Sequence, residues 1–131
     1  MISYRATTPS TLDAALVDAI ARDWIDAWNA HDLERILSHY TDDVDFASPF
    51  VIAVTGNGTG RLRGRDALRN YFTAALARYP DLEFSDVRTH LGADSVAIVY
   101  TSSAGDVTRS AAEVMILDQT GKAGRVLCHY L

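Results

Sequence analysis

Val107-Thr-Arg-Ser-Ala-Ala-Glu-Val-Met-Ile-Leu-Asp-Gln-Thr-Gly-Lys-Ala-Gly-Arg-Val-Leu-Cys-His-Tyr-Leu131 is the stretch whose reading decides the fold. Two apolar runs flank Gln119-Thr120-Gly121-Lys122, a turn signal, so the segment reads as an antiparallel hairpin with strands at about 107–118 and 124–131. Side chains alternate between sheet faces. Glu113, Met115 and Leu117 share one face, and Ala112, Val114 and Ile116 share the other. In the second strand Leu127, His129 and Leu131 alternate with Val126, Cys128 and Tyr130. Both faces are apolar. A sheet covered by helices on one side normally leaves the other side polar. The second face therefore needs cover, and a symmetric copy of the same sheet supplies it. The reading predicts a homodimer through the sheet face, with Cys128 on that face.

Upstream, strands are expected at about 82–91 and 95–102, with Gly92-Ala93-Asp94 and Ser103-Ala104-Gly105-Asp106 as turns, which extends the hairpin into an antiparallel meander. The first half of the chain has a different period. Leu12, Leu16, Ala19, Ile20, Trp24, Ala27 and Trp28 follow 3.6-residue spacing and predict a helix from Thr11 to about Ala30, capped by Ser10 or Thr11. Asp32 is placed to cap a short second helix carrying Leu33, Ile36, Leu37 and Tyr40. Val44, Phe46 and Ser48 alternate as a short strand stopped by Pro49, with Phe50 to Val54 as its possible continuation. A third helix starts near Arg65 and ends at Pro80. Helices first and strands after predict an α+β fold. The domain spans 10–131, behind an N-terminal arm at 1–9.

Composition agrees with that frame. The 131 residues are 48% hydrophobic and 22% charged, enough for one core without staples. A single cysteine excludes a disulfide framework. Seventeen acidic residues against twelve basic ones give a net charge of −5, which argues against nucleic acid as the partner. No apolar run reaches the length of a membrane span, and no secretory leader is apparent at the start. The expectation is a cytoplasmic protein with no membrane contact.

Further marks are Trp24-Ile-Asp-Ala-Trp-Asn-Ala-His-Asp-Leu33, Tyr40-Thr-Asp-Asp-Val44 before the first strand and Ser48-Pro49 after it. Gly64-Arg-Asp-Ala-Leu68 opens the third helix, and Gly121 and Gly124 precede the last strand. Together, over about residues 10–131, they resemble the nuclear transport factor 2-like superfamily, in its SnoaL-like polyketide cyclase and ketosteroid isomerase branch. The resemblance implies a cone: three N-terminal helices packed in a strongly curved, mainly antiparallel sheet around a deep apolar cavity. It does not imply one chemistry. The base aspartate of ketosteroid isomerases falls at Ser48, and their oxyanion tyrosine falls at Trp24. Their second acid falls at Glu113. The best-known steroid chemistry is therefore disfavoured.

Glu113 and His129 are the expected catalytic pair. A turn centred on 120–122 sets them nearly opposite each other on adjacent strands, where side chains share a face. A one-residue slip would separate them. The expected pocket comprises Trp24, Trp28, Tyr40, Phe46, Ser48, Phe72, Ile98, Tyr100 and Met115, with Tyr79 in the same aromatic set. Arg61, Arg63, Arg65 and Arg69 gather at the start of the third helix, as an anion site or as solvated charges answering nearby acids. The glycine-rich loop 56–64 lacks the ending of a phosphate loop, and His31, His39, His90 and His129 lack metal-ligand spacing. No metal or cofactor is expected. Three classes remain: a cofactor-free cyclase, isomerase or dehydratase acting on a small hydrophobic ketone or enol, a non-catalytic pocket for a small hydrophobic molecule, and a dimeric interaction module.

Overall fold

Asp13, rather than Ser10 or Thr11, caps the first helix. Its carboxylate accepts from the N–H groups of Ala15 and Leu16, and α1 runs from Ala14 to Asn29. Ser10 and Thr11 instead tie the incoming chain to the carbonyl of Ala93. The computed structural model describes residues 8–131; residues 1–7 of the expected arm lie outside the described residues. Asp32 caps α2 (Leu33–Leu37) as expected. Between these helices His31 takes a positive φ of 53°. Asn29 bonds both the N–H and the carbonyl of Phe84, and the His31 ring meets the carbonyl of Leu82 at 2.8 Å. The interhelical turn thus fixes where the meander begins.

Tyr40 opens β1 (Tyr40–Ala47) instead of closing α2. The expected strand continuation at Phe50 to Val54 is a helix, α3 (Pro49–Thr55), which makes four helices among the described residues where three are expected. The signals are local. The Ser48 hydroxyl accepts from the Phe50 N–H, Pro49 sits in the first turn, and Gly56 ends the helix at a left-handed φ of 75°. A short apolar run has no period long enough to separate helix from strand, and the caps decide. Next come β2 (Arg61–Arg63) and α4 (Arg65–Arg78). The meander is β3 (Glu83–Leu91), β4 (Ser95–Ala104), β5 (Val107–Leu117) and β6 (Ala123–Tyr130).

The sheet order is β2-β1-β6-β5-β4-β3, antiparallel throughout except for the β1–β6 pair. Irregularities in β1, β3 and β6 accompany the curvature of this open sheet. Helix α1 packs on β3, α4 on β1, and α2 and α3 on α4. The buried residues form one cluster between helices and concave face, with Trp24, Tyr40, Phe72 and Tyr100 at its centre. No helix among the described residues is long and apolar enough to cross a membrane.

The β5–β6 register corrects one expectation. The turn closes between Asp118 and Lys122, Leu117 pairs with Ala123, and Gly124 is an extra residue before Ile116 meets Arg125. Glu113 therefore faces Cys128, while His129 faces Ala112 on the opposite side of the sheet. Cys128 points into the core, not onto the outer face where a partner was expected. Ala97, Val99, Ala112, Val114, Ile116 and Leu127 lie on that outer face and are all half-buried, beside exposed Arg125 and His129.

Candidate functional site

Glu113 is the buried acid of the concave face. It projects from the middle of β5 with Ile98 on one neighbouring strand and Cys128 on the other. Its Oε1 accepts from the Tyr100 hydroxyl at 3.0 Å, and its Oε2 is buried with no partner. Burial disfavours the charged form and raises the carboxyl from 4.5 to about 7, although the Tyr100 hydroxyl and the Cys128 thiol hold it back. The effect is mutual. Burial first, and the Glu113 charge second, raise the phenols of Tyr40, Tyr100 and Tyr130 and the Cys128 thiol. Cys128 is thus held as a thiol, a poor nucleophile.

Glu113 lines a cavity of about 170 Å³ between helices and sheet. Trp28, Phe46, Phe72 and Phe84 wall its inner part. Helix α3 contributes Phe50 and Val54, and α4 contributes Tyr71, Ala75 and, at its end, Tyr79. The far end of the β4–β5 hairpin adds Ser102, Ala104, Val107 and Arg109, and β6 adds Tyr130. The lining is mostly apolar. One further unpartnered polar atom belongs to it: Trp28 Nε1, a buried donor. Two residues of the lining, Trp28 and Glu113, thus each bury one polar atom without a hydrogen-bond partner.

Of the expected pocket residues, Trp28, Phe46 and Phe72 line this cavity, as does Tyr79. Trp24, Tyr40, Ile98, Tyr100 and Met115 lie outside the lining and are packed in the core. The Trp24 indole N–H donates to the Tyr40 hydroxyl at 2.9 Å, so neither polar tip is available to a ligand. Ser48 is buried as the cap of α3. His129, exposed on the convex face, is separated from Glu113 by the thickness of the sheet. Arg65 pairs with Asp42, Arg69 with Glu34, and Arg61 approaches Asp45 at 3.9 Å, while Arg63 shares the same surface depression with acids. Arg61, Arg65 and Arg69 thus answer carboxylates, and Arg63 makes no ion pair among the described residues. His39 meets Asp23 at 2.8 Å, and no group of three or more metal-type ligands occurs among the described residues.

The residues that sequence reasoning missed are mainly those of α3 and of the β4–β5 hairpin. Phe50 was hidden by the strand reading of its segment. Arg109 and Tyr130 were legible in principle: each lies an even number of residues from an inward-facing neighbour, Glu113 or Cys128.

A SnoaL-like domain model matches residues 21–127. The chain belongs to the SnoaL-like family. A SnoaL-like protein of unknown function from Burkholderia thailandensis is 41% identical over 91% of this chain and 97% of its own, with a TM-score of 0.83. Two more distant structures share the fold alone. One is SalBIII, an epoxide hydrolase/cyclase-like enzyme of pyran ring formation in salinomycin, at 19% identity, 91% and 93% coverage and a TM-score of 0.74. The other is a nuclear transport factor 2-like protein of unknown function from Cytophaga hutchinsonii, at 13%, 96% and 95% and 0.67. None of the curated proteins is similar enough in sequence to count as a match. The SnoaL-like fold is the nuclear transport factor 2-like cone.

Proposed function

We propose that the cone cavity performs cofactor-free acid–base chemistry of the isomerase, cyclase or dehydratase kind on a small hydrophobic ketone or enol, with Glu113 as the proton-exchanging group. The observation that supports this is that Glu113 and Trp28, each burying a polar atom without a partner, line the same apolar cavity. A ketone complements both. Its carbonyl oxygen accepts from Trp28 Nε1, and Glu113 Oε2 removes the proton from the adjacent carbon. The C–H electron pair moves into the carbon–carbon bond and the carbonyl π pair moves onto oxygen. In a β,γ-unsaturated ketone, return of the proton at the γ carbon completes an isomerisation; attack by the enolate carbon on a second carbonyl closes a ring, and the alkoxide so formed takes the proton back from Glu113. A carboxyl near 7 is well matched to both directions at neutral pH. His129 has no part in this scheme. The shared fold with a cyclase-like enzyme supports the same class of reaction.

The test is exchange of the α-protons of 2-tetralone in D2O, followed by NMR. Wild type accelerates the exchange, with a rate that rises as pH passes through about 7, and Glu113→Gln does not. Equal rates in both proteins would remove Glu113 from the reaction. Binding of 2-tetralone without exchange supports a second reading, a non-catalytic pocket, which is favoured by Ser48 being a helix cap and not a base.

The same proposal includes a cytoplasmic homodimer formed through the convex face. Half-buried Val99, Val114, Ile116 and Leu127 lie there side by side on three adjacent strands.

A further inference from the structure

The cavity has a charged end as well as an acidic one. Arg109 and Ser102 are directly paired across β4 and β5, and both line the cavity at the hairpin end. On the same face of β5, Glu113 lies four residues from Arg109, roughly 14 Å along the strand at ~3.4 Å per residue. The Arg109 guanidinium lies 5.4 Å from the centre of the Phe50 ring, which packs edge-on against Tyr130 at 4.7 Å. No carboxylate pairs with Arg109 among the described residues. Asp81, which reaches the same hairpin, is held by the Gly105 N–H at 2.7 Å. Arg109 is thus an exposed guanidinium at the cavity's hairpin end, beside an aromatic ring and without a carboxylate partner, and its donors match a planar carboxylate.

We infer that the ligand is an amphipathic organic acid: its carboxylate, or an equivalent delocalised oxyanion, sits on Arg109 and Ser102, and its ring or short apolar body reaches inward toward Trp28 and Glu113. This rests on the cavity reading and names the substrate class for it. Size sets a bound, since an apolar cavity of about 150 Å³ holds a benzene ring. The 170 Å³ here suits one ring with a short acidic arm. The arrangement also places the anion away from Glu113, whose ionisation a nearby negative charge would oppose.

The experiment is calorimetric titration with 3-phenylpropionate and with its neutral counterpart, 3-phenylpropanamide, at low and moderate salt. Wild type binds the acid ~3- to 10-fold more tightly than the amide, and the preference weakens with salt. Arg109→Gln binds both equally, at the wild-type affinity for the amide. Equal binding of acid and amide by wild type, or a preference that persists in Arg109→Gln, overturns the inference and leaves the cavity reading intact. If neither probe binds, the inference and the cavity reading fall together.

Discussion

Glu113 is the buried acid of the concave face, and its environment has a consequence for stability. The carboxyl titrates near 7 when folded and near 4.5 when unfolded. Between those values the folded protein holds the proton more tightly, so stability falls as pH rises through the window and levels off above it. Relative to Glu113→Gln, wild type should lose up to about 3 kcal/mol between pH 4.5 and 7.5, read from urea midpoints. A constant difference between the two proteins would show that Glu113 is not held in a low-dielectric site. The sequence singles out Glu113 through the resemblance, which sets the second acid of ketosteroid isomerases there. The separation of His129 from it is not legible there, because the register depends on Gly124 as a single extra residue near the start of the last strand. One residue of slip reverses the face of every side chain. Nothing in the alternation of Val126 to Leu131 reveals which face looks inward, since both are apolar.

At the scale of elements, α3 is the feature that sequence periodicity misread and that the cavity most needs. Phe50 and Val54 reach the lining only because Pro49–Thr55 is helical. Its length gives it little intrinsic stability, so caps decide. Ser48→Ala removes the hydroxyl that accepts from the Phe50 N–H and should cost ~1 kcal/mol in thermal or urea unfolding. An unchanged midpoint would show that tertiary packing alone holds the helix. The longer elements were readable because several turns of period, or several alternations, repeat the same message. The α1 stripe and the four-strand meander both emerge within a few residues of their observed ends. The Trp24–Leu33 stretch carries the turn after α1, and the structure gives its physical reason: Asn29 and His31 clamp the start of β3.

For the molecule as a whole, the hydrophobic content has two destinations, a concave face enclosing a cavity and a convex face of half-buried side chains. The convex prediction is checked by light scattering after size exclusion. Wild type elutes as a dimer, and Val114→Glu, which puts a charge on the middle of that face, elutes as a monomer. A monomeric wild type at micromolar concentration contradicts the dimer. The concave prediction is more central, because the ionisation of Glu113 is set jointly by every element that excludes water from the cavity. The chain contains three glutamates, Glu34, Glu83 and Glu113, so carboxyl 13C NMR of glutamate-labelled protein can resolve each of them, with Glu113→Gln as the assignment. One resonance should titrate with a midpoint near 7 and vanish in Glu113→Gln. A Glu113 resonance titrating near 4.5 would contradict the account.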